Sequence, residues 1–320
     1  VTAAAIDPDA TQSTDARYAL WGAVRHRPAD KPFGADVAPL VRSLTAMVGQ
    51  TRKFELYQLA QTLLCLNRSA AIEVLTRAEV FQLEHEDVWY VLDALHKAKA
   101  KLPDVATAAL REWCRRALES PRDNRLDRVV QMALPLLARA APEEAPALIE
   151  KFRDRGGFAS WGAAEATAVL HGVEDAYDYV ARRVFERDEQ GQVHDRFENL
   201  THPQQVYWVC FEVDAQVCNG GFEQFFFNPS GRYSRMAPQA LVEVGATKCA
   251  SLMLKALEFL GPDRVEAAEK VYLNITEPEV RSRLSELDSQ YYDKMHAEPV
   301  LELLKYYAAR HAEHFRGEQK

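Results

Sequence analysis

Residues 201–231 read THPQQVYWVCFEVDAQVCNGGFEQFFFNPSG, and the reading of this stretch decides the fold. Its first half has a helical step, with Val206, Cys210, Val213 and Val217 on one face and Tyr207 and Phe211 beside them. Pro203 suits a first helical turn, where its missing N–H costs nothing. Asn219-Gly220 predicts a helix stop, because one residue there commonly needs positive φ. Gly221 lets the backbone pass close to a neighbour, and the chain then restarts as a Phe run. Phe222, Phe225 and Phe226 are expected to fold back onto the first helix, before Asn228-Pro229-Ser230-Gly231 closes the stretch.

Three amide side chains, Asn219, Gln224 and Asn228, fall near this turn. Amides both donate and accept, so they can satisfy backbone groups that a helix break leaves without partners. The same residues, with the Gly pair, could contact a ligand directly. A lone NGG after a helix is a far weaker anion signal than a strand–loop–helix phosphate motif.

The string Val217–Asn228, with Asn219, Gly220, Gly221, Phe222, Gln224, Phe225, Phe226 and Asn228 at its core, resembles the DNA-mimic protein C-terminal domain family. The P-x-x-x-V-Y helix before it is similar too, as is the small-residue helix from Ala246 to Leu260. Further similarity lies in an LxELDxxYY segment (Leu284, Glu286, Leu287, Asp288, Tyr291, Tyr292) and in a closing helix ending near Phe315. The likeness spans roughly 195–315; Cys218 stands where a more polar residue is expected. It implies a compact helical domain that binds a protein, with acidic side chains standing in for DNA phosphates in the groove of a basic DNA-binding protein. The acids that would serve are Glu266, Glu269, Glu277, Glu279, Glu286, Asp288 and Asp293. Arg281, Arg283 and Lys294 lie among them, so an ordinary solvated helix surface has the same composition.

Outward from the motif, the residues themselves agree on helices. Cys249, Leu252, Met253, Ala256, Leu257 and Leu260 form one apolar stripe, ended by Gly261-Pro262. Val280, Leu284, Leu287 and Tyr291 form another, and Val300, Leu304, Tyr307 and His311 a third after Pro299. Toward the N-terminus the chain reads as helix after helix from Val37 to about Glu186. Leu40, Leu44 and Met47 keep a helical step, as do Leu56, Leu59, Leu63 and Leu64, then Val88, Val91, Leu92 and Leu95. Helices are predicted over Val105–Leu118, Leu126–Ala140, Ala145–Phe152 and Trp161–Leu170, with Pro135 kinking or splitting the second. No alternating β-branched run bounded by hairpin turns is present.

These observations predict an all-α chain. A weakly structured arm over 1–35 precedes an array of helical hairpins over 36–187, with a solenoid as one form it could take, and a compact helical domain covers 195–320. No fixed-period repeat supports the solenoid form. The boundary falls in the polar stretch Arg187–His202.

Composition narrows the function. A formal charge of -8 disfavours direct contact with nucleic-acid phosphates. No run of about 18 apolar residues suggests a membrane span, and the opening VTAAAIDPDATQST has no basic region followed by an apolar one. Five widely spaced cysteines without a C-x-x-C pair fit reduced thiols in a cytoplasm rather than disulfides or a zinc knuckle. Nucleotide-loop, serine-hydrolase and zinc-protease signatures are absent. His311 and His314, with Glu313, are spaced as metal ligands can be, but a surface helix explains them more simply. The expectation is a non-enzymatic, cofactor-free regulator that binds a protein partner. A DNA mimic is one form of it and an immunity-type inhibitor another.

Overall fold

The computed structural model describes residues 45–46, 48, 53–120, 122–187, 190, 192–270, 273–295 and 298–316. The arm over 1–35 and the Leu40, Leu44 and Met47 stripe lie outside the described residues. The fold is all-α, with two compact units dividing between Ala166 and Thr167.

In the N-terminal unit the helices are α1 (Lys53–Leu66), α2 (Arg68–Leu75), α3 (His85–Lys97), α4 (Asp104–Glu119), α5 (Asn124–Ala140), α6 (Ala145–Arg153) and most of α7 (Gly157–Leu170). Alternate helices α1, α3 and α5 pack in a row, while α4 and α6 pack on α5. Val88, Val91, Leu92 and Leu95 have no exposed surface, as one buried helical face requires.

Pro135 does not split its helix, since α5 runs unbroken from Asn124 to Ala140. Pro135 has no N–H to give to the Gln131 carbonyl one turn back. α7 comes close at that very carbonyl: a Cβ on Gly162 would lie 2.9 Å from the Gln131 oxygen and 2.7 Å from its Cα. The absent side chain of Gly162 thus lets a second helix close over the defect.

The C-terminal unit contains α8 (Ala176–Val184), α9 (His202–Phe227), α10 (Ala237–Val244), α11 (Thr247–Leu260), α12 (Pro262–Lys270), α13 (Pro278–Met295) and α14 (Val300–Arg310). An antiparallel pair, β1 (Phe185–Arg187) and β2 (Val193–Asp195), joins α8 to α9, with Phe185 opposite Asp195 and Arg187 opposite Val193. This pair was not expected from the sequence. Strands of three residues are too short to show alternation, and Phe185 and Val193 are half exposed. The sequence reading ended the N-terminal array at 187. In the structure Val173, Val180 and Val184, together with Phe197 and Leu200, bury in the C-terminal core. α9 runs through the middle of this unit, packing on α10, α13 and α14.

Candidate functional site

α9 opens with a paired cap. The Thr201 N–H donates to Gln204 Oε1 at 3.0 Å, and the Gln204 amide donates to the His314 carbonyl at 2.5 Å, tying the helix start to the short turn Ala312–His314. Val206, Cys210, Val213 and Val217 are fully buried, the face that periodicity predicted.

The helix then breaks at the Gly pair. Gly220 has φ -159° and ψ 25°, and Gly221 has φ 77° and ψ -177°, a region that only glycine visits readily. Both ends of the break are held by α13. Asp288 Oδ1 accepts the Phe222 N–H at 2.8 Å, which caps the restarted segment as an N-cap carboxylate does. One turn further along α13, the Tyr292 hydroxyl lies 3.1 Å from the carbonyls of both Val217 and Cys218, which terminate the first segment. Space enforces Gly221 as well as torsion: a Cβ there would sit 2.3 Å from Asp288 Oδ2.

Behind the break the aromatic residues pack inward. Phe222, Phe225 and Phe226 have no exposed surface, and Phe222 meets Tyr291 edge to face at 5.8 Å between ring centres. The buried Tyr291 hydroxyl donates to Asp214 Oδ1 at 3.2 Å, and the Cys218 thiol reaches the same oxygen at 3.8 Å. Burial raises the Asp214 carboxyl above its ordinary value, partly offset by these two donors. It also pushes the Cys218 thiol up to about 12.

The amides join one another. Gln216 Oε1 receives the amide groups of Gln224 at 2.9 Å and Asn228 at 2.6 Å, and Asn219 donates to Gln224 Oε1 at 3.3 Å. The Asn228 N–H continues to the Gln224 carbonyl at 3.0 Å, and Ser230 donates to the Phe225 carbonyl at 2.8 Å. Thus Asn219, Gln224 and Asn228 are brought together around the break by Gln216, a residue the sequence reading did not single out. Asp214 and the capping Tyr292 were also missed as working residues. The signal for Tyr292 was present in the LxELDxxYY segment, where Asp288 and Tyr292 stand four apart and so share a helix face.

The seven acids are not gathered into one patch of bare charge. Asp288 is turned into the break; burial raises its carboxyl, the Phe222 N–H draws it back, and nearby Glu223 adds to the rise. Glu266 pairs with Lys270, Glu269 with Arg235 at 2.9 Å, Glu277 with Arg264 at 2.5 Å and Glu279 with Arg283 at 2.9 Å. Glu286 and Asp293 are exposed on α13 and hold no ion pair among the described residues. His314 lies 3.6 Å from Glu313, and His311 packs on the Tyr307 ring at 4.5 Å. Among the described residues no group of three or more His, Cys, Asp or Glu side chains is placed to hold a metal ion. No helix of the described residues is long and apolar enough to cross a membrane.

Fold and site together define an all-helical domain built on one broken central helix, clamped at its break by a later helix. Residues 198–311 match the family described as DMP19-like protein, so this segment is similar to that family. The N-terminal unit lies outside the match. No curated protein and no solved structure gives a significant match to the chain.

Proposed function

We propose that this protein acts without catalysis, by binding another protein through its DMP19-like domain and occupying the DNA-binding groove of that partner. The family match over 198–311 carries the reading. Charge distribution supports it. Residues 167–320 hold 25 Asp and Glu against 17 Lys and Arg, so the whole formal charge of -8 resides in this unit. Glu279, Glu286 and Asp293 recur every seventh residue along α13, a rise of about 10.5 Å each. Three nucleotides on one DNA strand rise about 10 Å, so such a stripe offers carboxylates at a phosphate-like repeat. The pairing of Glu279 with Arg283 is exposed on both sides, and exposed pairs of this kind are worth only about 0.3–0.5 kcal/mol. A partner's guanidinium can replace Arg283 at little cost. In this reading the protein works in the cytoplasm, takes no cofactor and touches no nucleic acid itself.

The ion pairs of Glu266, Glu269, Glu277 and Glu279 favour a second reading, an inhibitor or immunity-type module that binds its partner without imitating DNA. Affinity purification from the native host at two salt concentrations separates the two. Mimicry requires a basic DNA-binding partner, lost at high salt and displaced by duplex DNA, with binding weakened by Glu286→Lys and Asp293→Lys. A partner retained at high salt and indifferent to DNA counts for the second reading and against the first.

A further inference from the structure

The N-terminal unit carries a second candidate site, far from the acids in character. A cleft of about 90 Å³ is lined by His85, Glu86, Trp89, Tyr90, Arg125 and Arg128. The Arg128 guanidinium sits 5.0 Å from the centre of the Trp89 ring and 5.4 Å from that of Phe158, held between the two. It makes no ion pair or hydrogen bond among the described residues, and the side chain is exposed. Arg125, beside it on α5, has only Asp123 at 3.7 Å. The wall is stiffened by edge-to-face contact of Trp89 with Tyr90 at 5.1 Å and of His85 with Trp113 at 5.0 Å. The buried Trp89 Nε1–H has no acceptor among the described residues.

Phe158 is 41% exposed, so the aromatic side of this cleft is open to solvent. A guanidinium fixed on aromatic faces keeps its N–H edge free for a planar or tetrahedral oxyanion while losing little side-chain entropy on binding. Two guanidinium groups, Arg125 and Arg128, line the cleft; its one lining carboxylate is Glu86, and Asp123 stands 3.7 Å from Arg125. Two guanidinium forks point donors in more directions than the two coplanar oxygens of a carboxylate can use, which suits the three terminal oxygens of a phosphate. We propose that this cleft binds a phosphate monoester, the phosphate on Arg125 and Arg128 and the esterified group against Trp89 and Tyr90. The class covers both free aryl or nucleoside monophosphates and a phosphorylated side chain, because the recognised chemistry is the same. Net charge does not oppose this: residues 53–166 hold 16 Lys and Arg against 17 Asp and Glu, so this unit is nearly neutral.

The full-length chain can be titrated with phenyl phosphate, inorganic phosphate and phenylacetate at constant ionic strength, by calorimetry and tryptophan fluorescence. Saturable binding of phenyl phosphate is expected, at least tenfold tighter than either of the other two. Charge-assisted hydrogen bonds of this kind imply a loss of about tenfold or more in Arg128→Ala and in Arg125→Ala. Arg128→Lys, which keeps charge and stem but not the fork, should lose most of the same affinity, with circular dichroism confirming that each variant is folded. A phosphotyrosine peptide and a nucleoside monophosphate, titrated in parallel, then distinguish the two sources. No saturable binding in the parent protein would overturn the proposal. So would equal affinity for phenylacetate, or full affinity in folded Arg128→Ala. The outcome is independent of whether the C-terminal unit finds a DNA-binding partner.

Discussion

Replacing Gly221 by Ala probes the clamp at the helix break in a way that separates its two causes. Its φ of 77° with ψ -177° is costly for an L residue, about 1–3 kcal/mol. The new Cβ would also lie 2.3 Å from one oxygen of Asp288 and 2.7 Å from its Cγ, so the carboxylate must leave. Its departure removes the cap on Phe222, worth about 0.5–2 kcal/mol. Gly221→Ala should therefore cost about 1.5–5 kcal/mol in all. Asp288→Ala alone should cost only the cap, about 0.5–2 kcal/mol. The double variant should be hardly worse than Gly221→Ala, because the first change has already expelled the group that the second removes. The coupling then equals the cap itself, about 0.5–2 kcal/mol, against the roughly 0.3–0.5 kcal/mol within which independent sites add. Urea unfolding read by hydrogen exchange in peptides from His202–Phe227 isolates this unit from the N-terminal one. Additive costs in the double variant would show that Asp288 does not press on Gly221, and the account of the break would fall.

Three further outcomes follow from the same region and the thiols. Tyr292→Phe removes the hydroxyl between the Val217 and Cys218 carbonyls and should destabilise the unit by about 0.5–1.5 kcal/mol, read by the same exchange protocol. Asp214 has its carboxyl raised above 3.8 by burial, so the folded state keeps a proton that the unfolded chain loses first. Its contribution to stability is fully present below 3.8 and declines as pH rises through the raised value, and Asp214→Asn should flatten that decline in unfolding measured across the acid range. Cys65 is exposed, though partial burial raises its thiol, whereas the Cys114 thiol is buried and pushed up to about 12. Iodoacetamide should thus reach Cys65 before Cys114, read by mass mapping, and rapid loss of the Cys114 thiol in the folded protein would contradict its burial.

The helices were legible because their signals are local. Pro103-Asp104 and Ser120-Pro121 bracket α4, and the Val88 stripe repeats every turn. The break at Asn219-Gly220-Gly221 was legible for the same reason, since glycine marks it in place. The partners that make the break were not. Asp288 was counted with the surface acids, because nothing adjacent in sequence says that it turns inward toward an amide at Phe222. Gln216 gave no signal at all, being one more polar residue on a helix until Gln224 and Asn228 converge on its oxygen. The extent of the C-terminal unit was obscured similarly: α8 looks like the last of a series, and only its burial with Phe197 and Leu200 assigns it to the later core. Pro135 gave the opposite lesson. Its local signal was strong, and a glycine on another helix accommodates the gap it leaves.

The clamp has a consequence for the order in which this chain is made. Asp288 is 66 residues beyond Phe222, and Tyr292 is 75 beyond Val217. At about 5–20 residues per second, synthesis of that interval takes roughly 3–13 s. Until α13 emerges, the Phe222 amide has no cap and the Phe run has only part of its cover. This aromatic segment therefore waits, exposed, for its fastener, and a ribosome stalled between these helices would hold it in an aggregation-prone form.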